Sequence, residues 1–222
     1  MRRTPRSRAR GTADRCATGR GSAVARAADG SDAGEPATAG AHGDVRTRCV
    51  RRALERGLSL ATAESLTAGL VCAGLADVPG ASGALRGGVV AYATELKRDL
   101  LDVPADLLAR EGPVHPDVAL AMAAGVRRRL GADVGVATTG VAGPGPSDGR
   151  SAGTAYAAVV GPGGGRVLPL HLPGDRAAVR AATAHAALAL LAEVLEAPDD
   201  APPGGSPPTD APAPGTADPR SR

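Results

Sequence analysis

Between Gly43 and Glu196 the apolar residues are nearly all alanine, valine and leucine, with no phenylalanine or tryptophan and only two tyrosines, Tyr92 and Tyr156. Whatever this stretch folds into must therefore be built around small aliphatic side chains. It is long enough for one domain with a real core and too short for two. In such a background a side chain as large as Tyr92 stands out.

Secondary-structure punctuation alternates along the stretch. Val45, Cys49, Ala53 and Leu54 share one face of a first helix that Gly57 ends. Leu58–Thr62 reads as a strand, Thr67–Ala76 as a helix, Gly87–Ala93 as a second strand, and Thr94–Leu101 as the helix after it. Pro104 and Pro116 suit first helical positions, and the helix from Pro116 reaches Leu130 before Gly131 stops it. Strands follow over Asp133–Thr138, Gly153–Val160 and Arg166–Leu172, then a closing helix over Asp175–Leu195. Interleaved helices and strands give an α/β domain, and the closely spaced last strands make its sheet mixed. Residues 1–42, rich in Arg, Gly and Ala, and residues 197–222, with eight prolines, carry no apolar periodicity and are read as disordered extensions of a domain spanning 43–196.

The isoelectric point of about 9.1 suggests a nucleic-acid partner until charge is divided by segment. Residues 1–42 hold eight Arg against four acids, whereas the middle has 16 basic and 15 acidic residues. With no basic stripe or aromatic stacking platform, neither nucleic acid nor a membrane is expected as partner. Cys16, Cys49 and Cys72 are odd in number and widely spaced, without a C-x-x-C pair, which argues against a disulfide framework or zinc site and for a reducing cytoplasm. No run approaches the roughly 20 uninterrupted apolar residues of a membrane span.

Lysine occurs once, as Lys97, against 25 arginines. An amine can lose its proton at working pH and a guanidinium cannot, so Lys97 is the first candidate for chemistry. Its place in the first turn of a helix, with Thr94 as the expected N-cap, disfavours the ammonium form, and burial acts in the same direction. The alternative is a solvated lysine paired with Asp99 or Glu95. Ser65 lies at a strand-to-helix junction, where helix-terminal amides favour a developing oxyanion; a plain N-cap is the competing role. Tyr92 ends the preceding strand, within reach of both residues or packed as a core aromatic. Arg176 and Arg180, one turn apart, are suited either to clamp a phosphate or to pair on the surface with Asp175. The glycine-rich run Thr138–Gly149 follows a strand, where α/β folds place ligands, yet it matches neither a dinucleotide fingerprint nor a Walker loop. His42, His115, His171 and His185 lack metal-ligand spacing, and His115 reads as a helix-entry residue.

Together, Ala63-Glu-Ser-Leu-Thr-Ala-Gly69, Gly87-Gly-Val-Val-Ala-Tyr-Ala-Thr-Glu-Leu-Lys97, Thr139-Gly-Val-Ala-Gly-Pro-Gly145, Gly153-Thr-Ala-Tyr156 and Gly174-Asp-Arg-Ala-Ala-Val-Arg180 resemble the CinA C-terminal-domain family, which includes nicotinamide mononucleotide deamidases. The resemblance implies a three-layer α/β/α sandwich that dimerises. It also implies a metal-free, cofactor-free amidohydrolase that converts nicotinamide mononucleotide and water to nicotinate mononucleotide and ammonia in pyridine-nucleotide recycling. Ser65 matches the nucleophile, Lys97 its base, Tyr92 a third polar member, Arg176 or Arg180 the substrate-side arginine, and Thr139 with Gly140 the loop beside the substrate. The family often has glycine where this chain has Ala68. A non-catalytic interaction module, or a hydrolase of another small amide, is the alternative reading.

Overall fold

A computed structural model describes residues 44–197; the two terminal extensions lie outside the described residues. Helix α1 (Val45–Glu55) starts at Asp44, whose carboxylate caps the Arg46 amide, and Arg56 and Gly57 close it. It buries Cys49, Val50 and Ala53; Leu54, expected on the same face, is 44% exposed. Burial pushes the Cys49 thiol up to about 12. Next come β1 (Leu60–Glu64), α2 (Leu70–Ala76), a 3-10 turn (Ala81–Gly83), β2 (Leu85–Val90), α3 (Thr94–Leu101), α4 (Ala105–Glu111) and α5 (Pro116–Arg129). Strands β3 (Val134–Gly140), β4 (Thr154–Gly161) and β5 (Gly164–His171) precede the long α6 (Arg176–Glu196).

The sheet runs β2-β1-β3-β4-β5, with β2, β1 and β3 parallel and β4 and β5 antiparallel to their neighbours. Alternation along the strands supplies two cores. Leu60, Val134, Val136, Ala157 and Val159 pack under α1, α2 and α6. Ala61, Ala63, Ala137 and Ala158 turn to the other face, against Leu101, Val118, Met122 and Val126 of α3 and α5. This is the expected α/β/α sandwich. Helix α6 is long and apolar enough by composition to cross a membrane, but half of that span is buried here as a core helix.

Two close approaches explain how so small a set of side chains seals the α3–α5 face. A Cβ on Gly125 of α5 would overlap the Leu101 carbonyl at the end of α3, and one on Gly135 of β3 would overlap the Ala123 carbonyl of α5. Main chain therefore rests on main chain at both places, and only glycine permits it.

Several boundaries differ from the sequence expectation, among them β2, found at Leu85–Val90 rather than Gly87–Ala93, and β5, at Gly164–His171 rather than Arg166–Leu172. Strand β1 is shifted two residues, because Gly57 and Leu58 are spent closing α1 and Ser59 is tied to Asp133. Helix α2 begins at Leu70 rather than Thr67, after a turn in which Ala68 and Gly69 have φ of 50° and 100°. Thr94 is the first helical residue and Ala93 the N-cap, without a side-chain cap. Pro104 precedes the first residue of its helix, whereas Pro116 is the first helical residue as expected, with His115 Nδ1 accepting the Asp117 amide at 3.3 Å.

Candidate active site

The connection after β1 leaves to the α2 face and the one after β2 leaves to the α3–α5 face, so a crevice opens beyond the carboxyl ends of these neighbouring strands. Ser65 follows directly on β1, its amide bonded to the Thr138 carbonyl of β3 at 3.0 Å. Lys97 reaches in from the first turn of α3. Its Nζ lies 3.1 Å from Ser65 Oγ, 2.9 Å from the Ala91 carbonyl and 3.5 Å from the Tyr92 carbonyl. The side chain is 1% exposed, the largest fully buried one in the described domain.

This environment serves either state of the amine. Nζ donates to the two carbonyls, which can only accept, and to Ser65 Oγ. An uncharged Nζ keeps the two carbonyl bonds and can instead accept the Ser65 hydroxyl. No carboxylate lies within ion-pair distance of Lys97 among the described residues, and burial lowers its pKa to about 8, against a weaker opposing pull from Asp148 and Glu95.

The amides that open α2 are not available for an oxyanion, contrary to expectation. Glu64, 1% exposed, fills that position: its carboxylate accepts from the Gly69, Val71 and Cys72 amides at 2.9, 3.1 and 2.8 Å, and from the hydroxyls of Thr67 at 2.7 Å and Thr62 at 3.3 Å. The amides of Leu66 and Thr67, immediately after Ser65, donate to nothing among the described residues. Sequence reasoning passed over Glu64 because its caps lie five to eight residues downstream, beyond the spacing of a capping box. Its signal in the sequence was being the single charged residue between Arg56 and Asp77.

Ser65, Leu66, Tyr92, Lys97, Thr139, Gly140, Asp148 and Arg176 line a cavity of about 410 Å³, within the range of small-molecule sites. Tyr92 does not place its hydroxyl on Ser65 or Lys97. It is 54% exposed at the rim and accepts a hydrogen bond from Arg176, which also donates to the Gly143 carbonyl at 3.0 Å. Arg180 does not line the cavity; its guanidinium grips the Leu66 and Thr67 carbonyls at 2.8 and 3.0 Å. Neither arginine pairs with Asp175, which caps α6 through the Ala178 amide. Thr139 is buried, with its hydroxyl on the Pro113 carbonyl at 2.7 Å, and any Cβ on Gly140 would meet Ala155.

Comparison with known proteins agrees with this architecture. A CinA-like protein of Frankia casuarinae is 50% identical over 142 residues, covering 64% of this chain and 33% of its own length. One from Geobacter sulfurreducens is 45% identical over 151 residues, 67% of this chain and 37% of its length. The chain thus spans about a third of these relatives. The crystal structure of a competence-damaged protein (CinA) superfamily protein from Klebsiella pneumoniae superposes with a TM-score of 0.65 at 36% identity, over 68% of this chain and 95% of that one. Its counterpart from Escherichia coli gives 0.65 at 32%, over 68% and 88%. The family model of the CinA C-terminal domain matches residues 42–195, and the chain belongs to that family.

Proposed function

We propose that this domain is a Ser–Lys amidohydrolase that deamidates nicotinamide mononucleotide to nicotinate mononucleotide and ammonia. The observation that carries the reading is the buried Lys97 amine 3.1 Å from the Ser65 hydroxyl. In the scheme, neutral Lys97 takes the Ser65 proton as Oγ attacks the carboxamide carbon. The amide of Leu66, a residue that lines the cavity, replaces the α2 terminus as oxyanion donor. Lys97 then passes its proton to the departing nitrogen, ammonia leaves, and a water activated by Lys97 releases the acid from Ser65.

Arg176 is the better candidate for the substrate's phosphate. It stands at the cavity rim, and a guanidinium with five N–H donors retains capacity beyond its bonds to Tyr92 and Gly143. Arg180 is committed to backbone carbonyls. The reading includes a homodimeric, cytoplasmic enzyme of pyridine-nucleotide recycling, in keeping with the free thiols of Cys49 and Cys72.

The test is ammonia and nicotinate mononucleotide formation by the wild type, Ser65→Ala and Lys97→Arg. Activity in the wild type alone supports the reading. A silent wild type, or an active Lys97→Arg variant, overturns it.

A further inference from the structure

The cavity lining contains Lys97, one arginine, Arg176, and a single carboxylate, Asp148. Asp148 and Gly149 form the two-residue tip of a hairpin closed by Ser147 and Arg150, whose main chains exchange hydrogen bonds of 3.0 and 2.9 Å. Both tip residues have positive φ, 51° and 71°, which an Asp-Gly pair adopts readily. The turn accounts for an aspartate or an asparagine at position 148, but it does not account for a charge. The Asp148 carboxylate accepts from the Ser147 hydroxyl at 2.9 Å, and no cationic side chain stands within ion-pair distance of it among the described residues. Its field nevertheless reaches the Lys97 amine, where it opposes the effect of burial. Nζ lies 3.1 Å from Ser65 Oγ, so a ring whose carboxamide rests on Ser65 sits in the same field.

We infer that Asp148 is a specificity-determining residue, which selects an amide borne on a cationic ring over the same amide on a neutral one. The inference rests on the amidohydrolase reading above and deepens it. A nicotinamide joined to ribose through its ring nitrogen carries a permanent positive charge there, and its phosphate is an anion. The cavity offers one carboxylate for the first charge and one guanidinium for the second. Neutral amides of similar size engage neither, so charge complementarity at both ends separates them from the nucleotide.

The experiment uses the full chain as Ser65→Ala, chosen to bind without turnover, with and without Asp148→Asn. Asparagine suits the left-handed turn position as aspartate does, so this change removes the charge and keeps the loop. Two probes are titrated by calorimetry at low salt: nicotinamide mononucleotide, and benzamide riboside monophosphate, which has the same shape and a neutral phenyl ring. The mononucleotide is expected to bind about 5- to 10-fold more tightly. That preference should fall below about twofold with Asp148→Asn, or in about 0.5 M salt, while the affinity for the neutral probe is unmoved by Asp148→Asn. A preference that survives Asp148→Asn, or that is absent from the start, overturns the inference. An equal loss for both probes overturns it too, since that marks a distorted loop. If the preference behaves as expected while wild type releases no ammonia, the deamidase chemistry fails and the role of Asp148 stands. If neither probe binds, the nucleotide reading falls and this inference with it.

Discussion

Glu64 Oε1 accepts the Cys72 amide at 2.8 Å, tying the last residue of β1 to the first turn of α2 across the whole Ser65 turn. Replacing Glu64 by alanine leaves the buried Val71 amide and the part-buried Gly69 and Cys72 amides without that acceptor. The expected loss is about 2 kcal/mol or more of folding stability, at about 1 to 3 kcal/mol per orphaned buried group and less for the part-buried ones. Urea denaturation of Glu64→Ala against wild type checks it, and a change within 1 kcal/mol would contradict the capping role.

The pH profile follows from Lys97. Only the free amine can accept the Ser65 proton, and burial has moved its pKa from 10.5 to about 8. Activity is expected to climb about tenfold per pH unit on the acid side and to level above pH 8. Because Asp148 pulls the value upward, Asp148→Asn should shift the midpoint to lower pH. A profile flat from pH 6 to 9 would be incompatible with Lys97 as the base.

The same shift has a stability consequence of opposite benefit. Below pH 8 both folded and unfolded chains carry the proton, and the cost of burying an ammonium is fully present. Between about 8 and 10.5 the unfolded chain keeps the proton that the folded chain has lost, so stability rises with pH through that window and is level above it. Lys97→Met should therefore be inactive yet more stable than wild type at pH 7 by about 1 to 3 kcal/mol, part of the gain being offset by the unpaired Ala91 carbonyl. Denaturation at pH 7 and 9.5 checks both sign and window; the advantage should shrink at the higher pH.

Arg176→Gln tests the phosphate assignment. Loss of a charge-assisted contact is expected to raise KM for the mononucleotide by about 10- to 100-fold with little change in kcat. Nicotinamide riboside, which lacks the phosphate, should be processed equally by both proteins. Tyr92→Phe should act in the same parameter and more weakly, since its hydroxyl holds Arg176. A selective drop in kcat would instead return Tyr92 to the chemistry.

The layered α/β plan was legible because alternation in the strands and glycine or proline at helix ends are local signals. Lys97 was legible from its uniqueness, and Ser65 from its junction. The start of α2 was not: Thr67 is an acceptable helix residue, and nothing nearby in sequence says that Ala68 and Gly69 adopt left-handed backbone. That turn exists because Glu64 and Arg180 hold it, and their partners are separated by up to 114 positions in the chain. The roles of Arg176 and Arg180 were interchangeable on paper, one helical turn apart, and only the packing of α6 against the β1 turn separates them.

Gly125 and Gly135 give the amine and the hydroxyl a common ruler. Helix α3 is spaced from α5, and α5 from β3, by peptide groups in contact rather than by side chains that evolution can swap. Alanine, valine and leucine can thus drift among themselves through much of the interior without altering the gap between the Lys97 amine and the Ser65 hydroxyl, while a single methyl group at either glycine would force main chain apart.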